Sequence, residues 1–98
     1  MKDVVHSDSI EGAEILALKV LSFIASDPHR LSDFQALTGI TLGDLRARAA
    51  DRDVLLAALS SIMSDESALL MFSANASVPP EQIGVALRAI EAHCRKTT

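Results

Sequence analysis

Four side chains in this 98-residue sequence belong to types that bind metals or act as nucleophiles: His6, His29, His93 and Cys94. Ligand pairs on a helix usually lie three or four residues apart, which turns both side chains toward one ion. His93 and Cys94 are adjacent and point roughly 100° apart on a helix. There is no His-x-x-x-His, no Cys-x-x-Cys and no Glu-x-x-His. No metal site and no cofactor are expected. Cys94 shares the apolar face of the last predicted helix with Ile83, Ala86, Leu87 and Ile90, the setting of a buried, inert thiol. It lies toward a helix C-terminus, where the helix dipole raises a thiol pKa.

The carboxylates have structural work to do. Asp27, Asp51 and Asp65 each stand at a predicted helix start. Asp44, Glu66 and Glu81 fall in first turns, where the dipole favours negative charge. Acid–base catalysis needs a positioned pair with perturbed pKa values, and capping leaves none. The four glycines, Gly12, Gly39, Gly43 and Gly84, are scattered, so no phosphate-cradling loop exists. The chain is expected not to be an enzyme.

Arg46, Arg48 and Arg52 form a basic cluster. They follow a helix, a glycine turn at Gly39 and a second short helix, which gives the region a helix-turn-helix look. Against a nucleic-acid role, Asp44 is placed to pair with Arg48, and Asp51 and Asp53 flank Arg52. The three aromatics, Phe23, Phe34 and Phe72, lie on apolar stripes, so no stacking platform for single strands is available. The formal net charge of −4 supplies no broad attraction to phosphates or anionic lipid.

Hydrophobic residues make up 49% of the chain and charged residues 22%, the composition of one small packed domain spanning residues 1–98. A single cysteine excludes an intrachain disulfide and fits a reducing compartment. Acidic residues near the N-terminus argue against a signal peptide. Apolar stretches are too short for the roughly 20 residues that span a bilayer. A cytoplasmic protein without membrane attachment is expected.

The pattern is helical almost throughout and never alternates at period two. A first helix is predicted over 9–25, with Asp8 as N-cap and Glu11 three residues on. Glu11, Glu14, Lys19 and Ser22 share one arc of its wheel, and most of the rest is apolar. Asp27-Pro28 opens a second helix that stops at Gly39. Thr41 and Asp44 make a capping-box pattern for a third, reaching about Ala50. Asp51 opens a fourth to about Met63, and Asp65 a fifth that fades near Ser77. Val78 is held extended by Pro79. The sixth starts at Pro80, with Glu91 and Arg95 as a favourable pair. The segments 1–8 and 96–98 are expected to be mobile.

Sliding the chain against itself gives an ungapped match at an offset of 38, between 14–49 and 52–87, with nine identical positions. About three would arise by chance. The identities include Leu21/Leu59, Ser26/Ser64, Asp27/Asp65 and Phe34/Phe72. The expected fold is therefore an all-α compact bundle of five to six short helices in two pseudo-symmetric three-helix halves. Phe34 and Phe72 should then occupy equivalent core positions.

Two segments carry a family resemblance. One is Phe34-Gln-Ala-Leu-Thr-Gly-Ile-Thr-Leu-Gly-Asp-Leu-Arg-Ala-Arg-Ala, followed by Asp51 and Leu55. The other is Asp65-Glu-Ser-Ala-Leu-Leu-Met-Phe72, followed by Pro79-Pro80 and an Ala-rich helix. Together they resemble a small alphaproteobacterial family known only as a domain of unknown function, over about 11–92. The resemblance implies an all-α cytoplasmic protein and no catalytic residues. Arg52 stands where that family often has proline, which weakens the helix start slightly.

Helices one and four are apolar over more of their wheels than a small monomer easily covers. A residual apolar patch marks a contact surface. The expected surface is Leu55, Leu59, Met63, Leu70 and Met71, with Arg46, Arg48 and Arg52 at its rim. The expected function is a non-enzymatic, cytoplasmic helical module that self-associates or binds a protein partner. The alternatives are a helix-turn-helix-like accessory DNA binder and a binder of a small apolar ligand between the halves.

Overall fold

Helix starts are set by short side chains that accept the orphan backbone N–H groups. The computed structural model describes residues 9–96, with side chains through His93. Six α-helices follow one another: α1 (Ile10–Ala25), α2 (Pro28–Thr38), α3 (Leu42–Arg48), α4 (Arg52–Met63), α5 (Glu66–Ala76) and α6 (Glu81–Lys96). The Thr41 hydroxyl accepts from Asp44 N at 3.0 Å while Asp44 Oδ2 accepts from Thr41 N at 3.0 Å, the expected capping box.

Three local details differ from the sequence reading. The α1 cap is Ser9, whose Oγ accepts from Gly12 N at 3.0 Å; Asp8 lies outside the described residues. Helix α3 ends at Arg48, two residues early. Asp51 has the extended backbone of an N-cap, but its carboxylate makes no capping bond. Arg48 Nε donates to it at 2.9 Å, and a charged donor outcompetes a backbone amide. His6 and the terminal segments 1–8 and 97–98 also lie outside the described residues, as do the side chains of Cys94, Arg95 and Lys96.

Helices α1, α4 and α6 pack on one another and form the centre, with α2 and α5 laid against α1 and α4. Leu16, Val20, Val54, Leu59, Ile83 and Ile90 are fully buried where they meet. Helix α3 contributes only Leu45 to the core. The radius of gyration is 12.7 Å, against about 13 Å for a folded chain of 100 residues. The fold is an all-α compact globule.

The α1–α2 and α4–α5 corners are built from corresponding bonds. Ser26 N donates to Ser22 O and Ser64 N to Ser60 O; Asp27 N donates to Ile24 O and Asp65 N to Ile62 O. Ser26 and Ser64 each return a hydroxyl bond of 2.8 Å to the carbonyl three residues back. Helices α2 and α5 both end in the left-handed region, at Gly39 (φ 75°) and Ser77 (φ 56°). Phe34 and Phe72 are both buried.

Glycine carries no penalty in the left-handed region, whereas serine does. Gly39→Ala is expected to lower the free energy of unfolding by about 1 kcal/mol. Ser77→Gly should raise it by up to about 1 kcal/mol. Urea denaturation of both variants checks this, and two losses would refute the strain at Ser77.

Candidate functional site

The expected surface divides. Leu55 and Leu59 are 1% and 0% exposed, because α4 lies between α1 and α6 and buries its whole apolar face. They belong to the core and are no part of a contact surface. Met63, Leu70 and Met71 remain between 43% and 54% exposed. Met63 lies over Gly84 of α6, its Cε 3.7 Å from where a glycine Cβ would stand. Met71 is tied down, since Arg30 Nη2 donates to its sulfur at 3.0 Å. Arg30 also stacks 4.6 Å over the Phe23 ring and pairs with Asp27 at 2.9 Å. Phe23 in turn meets Phe72 edge-on, with centroids 5.5 Å apart.

The basic cluster is largely neutralised, and by different partners than the spacing predicts. Arg48 donates to Asp51 at 2.9 Å and also to Asp53. These two carboxylates hold the guanidinium above its ordinary pKa. Arg52 crosses to α1 and pairs with Glu14 at 3.0 Å. Asp44 caps α3. Arg46 enters no ion pair among the described residues and points beside α1.

The open apolar surface lies along α1. Ile15 and Leu18 are 50% and 40% exposed, and Leu42 of α3 is 44% exposed. A groove of about 310 Å3 runs between Leu18, Leu21, Ser22 and Ala25 on α1 and Leu42, Leu45, Arg46 and Ala49. A second, of about 400 Å3, lies between Lys19, Ser22 and Phe23 and the α5 residues Phe72, Asn75 and Ala76. Both grooves include Ser22, so the outer stripe of α1 is the floor of a valley walled by α3 and α5. Leu70 points about 140° away from Asn75 around α5 and is not part of that wall.

Sequence reasoning missed Ile15 and Leu18 as surface residues. A signal was present, since both fall inside the arc marked polar by Glu11, Glu14, Lys19 and Ser22 at about 100° per residue. A further cleft of about 160 Å3, open to solvent, lies between α2 and the α4–α5 corner; Ile24, Phe34, Leu37, Ile62 and Ala68 form its apolar side, and Arg30, Asp33, Ser61, Ser64 and Asp65 its polar side. His29 pairs with Asp33 at 3.3 Å, and both are highly exposed. Among the described residues no three His, Cys, Asp or Glu side chains converge as a metal site would require. No single described helix is long and apolar enough to cross a membrane; α4 and α5 reach that only together, and they turn 107° between them.

A family model described as protein of unknown function (DUF3572) matches residues 10–93. The chain belongs to that family. No curated protein and no solved structure matches it. The matched span contains all of α1 to α5 and most of α6, so membership covers the core, the valley and the cleft. It assigns no activity to any of them.

The capping box gives the α3 wall a pH dependence. The Thr41 backbone N–H, then its hydroxyl, hold the Asp44 carboxyl below its ordinary value, with Arg48 adding a smaller pull. A carboxylate with a lowered folded pKa contributes stability that is complete above about pH 3.9 and is lost as pH falls through the folded value. Asp44→Asn should therefore flatten the acid limb of stability below about pH 5, down through the lowered folded value. Thermal unfolding followed across that range checks it, and an unchanged limb would refute the assignment.

Proposed function

We propose that the chain is a cytoplasmic, non-enzymatic helical module that works by binding a protein partner. The observation that carries this reading is the valley along α1, where Ile15, Leu18 and Leu42 stand open to solvent beside apolar walls. Its floor is contiguous, whereas isolated apolar residues on a surface need no explanation. Met63 and Leu70 add exposed apolar area outside the valley.

We further propose that the domain is two pseudo-symmetric three-helix halves. Support comes from the corresponding bonds of the two corners and from the paired left-handed caps. The Glu14–Arg52 pair supports it too, because these residues are 38 apart and equivalent positions touch where a twofold axis passes. The halves differ in bulk. Phe23, Arg30, Met63 and Leu87 correspond to Ser61, Ala68, Ala25 and Ala49. Each small residue of the set lines a groove or cleft, at a place its larger counterpart would fill.

A tagged chain expressed at native level, followed by reconstitution of the purified components, is expected to yield a stoichiometric complex heavier than the chain alone. Bait alone, from extracts in which other complexes survive, would sink the interaction reading.

The cleft beside Ser61 favours a small apolar ligand as the second reading. Its volume of about 160 Å3 is room for a small ring against the apolar side formed by Ile24, Phe34, Leu37 and Ile62, with polar residues on the other side. Benzene at millimolar concentration is expected to raise the melting temperature by a few degrees, as ligand linkage requires. Ser61→Phe, which copies Phe23, should abolish that rise by filling the space. A rise that persists in the variant would place benzene elsewhere.

A further inference from the structure

The valley has a charge as well as a shape. Arg30, Arg48 and Arg52 are each engaged by a carboxylate. Lys19 and Arg46 enter no ion pair among the described residues. Lys19 lies on one side of Ser22 and Arg46 on the other, one in each groove. The two grooves are therefore bordered by uncompensated positive charge, while Glu11 sets one unpaired carboxylate at the N-terminal end of the same stripe, beyond both grooves.

The floor is helical, so its open side chains recur at helical spacing, from Ile15 through Leu18 to Ser22. A second helix laid along it meets them with residues at i, i+3, i+4 and i+7, the ordinary way an amphipathic helix fills a groove. The gaps at Ala25 and Ala49 leave room for an incoming Leu or Met. Carboxylates on the flanks of such a helix would meet Lys19 and Arg46.

We propose that the valley receives an acidic amphipathic helix of a protein partner, with aliphatic anchors on α1 and its carboxylates on Lys19 and Arg46. This rests on the interaction-module reading and names its partner class. A second copy of this chain fits less well, because an isologous contact turns the same valley on itself and sets Lys19 and Arg46 against like charges. A nucleic acid would place phosphates against a leucine floor.

The test uses the full chain and two synthetic peptides. One is an Ala-rich helix with Leu at i, i+3 and i+7 flanked by Glu; the other has Lys for every Glu. Fluorescence anisotropy at low salt should show the Glu peptide binding about tenfold tighter, within the reach of two exposed ion pairs. The preference should shrink as salt is added. Amide shifts should centre on Leu18, Lys19, Ser22 and Arg46. The double variant Lys19→Glu, Arg46→Glu should reverse the preference with its circular dichroism unchanged, and Leu18→Glu should abolish binding. Equal affinity for the two peptides, no binding of either, or binding that survives Leu18→Glu would overturn the proposal. So would a dimer that Leu18→Glu dissolves without peptide, since that gives the valley to a second copy. A reconstituted stoichiometric partner alongside any of these failures would keep the interaction reading and remove only this occupant.

Discussion

Two helices in this chain, α1 and α4, are apolar over most of their circumference, and neither can be covered from one side. They must cross each other, and every other element is placed by what that crossing leaves open. Leu16, Val20, Leu55 and Leu59 bury themselves at or near the contact. Helix α6 covers both from a third side. Helices α2 and α5 fold back at once over tight corners held by Ser26 and Ser64, which keeps each on the helix it follows. What remains uncovered is the outer stripe of α1, because α3 is only 7 residues long and buries only Leu45.

Local features of this fold are legible in the sequence because they are decided within a turn. The Thr41–Asp44 box, the Asp27-Pro28 start and the Gly39 stop each depend on residues no more than four apart. Where a local choice had a competitor, the reading slipped: Asp51 gives its carboxylate to Arg48 and leaves α4 uncapped by its side chain. The surface was less legible. A stripe of Leu55 and Leu59 looks the same in sequence whether it faces solvent or two other helices, and only the long-range packing of α1 and α6 decides it. Ile15 and Leu18 are the reverse case, since their place in the polar arc already marks them as open.

On the proposed two-half reading, differences in side-chain bulk at equivalent positions account for where open space lies. At the 38-residue offset the corner hydrogen bonds and the left-handed caps correspond, while side-chain volume varies. Phe23 against Phe72, capped by Arg30 and Met71, fills one flank of the central pair. Ser61 and Ala68 stand at the corresponding places by Phe34, and a cleft results. Met63 over Gly84 closes the α4–α6 seam, while Ala25 and Ala49 leave the α1–α3 seam open. Close packing makes such volume changes costly unless something fills them or water reaches them. Both spaces here open to solvent, which lowers that cost and makes them available.

Charge completes the asymmetry. Exposed ion pairs contribute little to stability, typically about 0–1 kcal/mol each, so the pairs made by Arg48 and Arg52 matter more for the local field than for the fold. They cancel positive charge around the α3–α4 link and between α1 and α4. The charges left unpaired along α1 are Glu11 at its N-terminal end and Lys19, with Arg46 opposite, and the two cations flank the grooves. At physiological ionic strength a charge is felt over only about 8 Å. A net charge of −4 spread over the whole molecule therefore does not erase two cations concentrated at one valley. A chain whose overall composition argues against anionic partners can in this way present one anion-preferring surface, and that surface coincides with its open leucines.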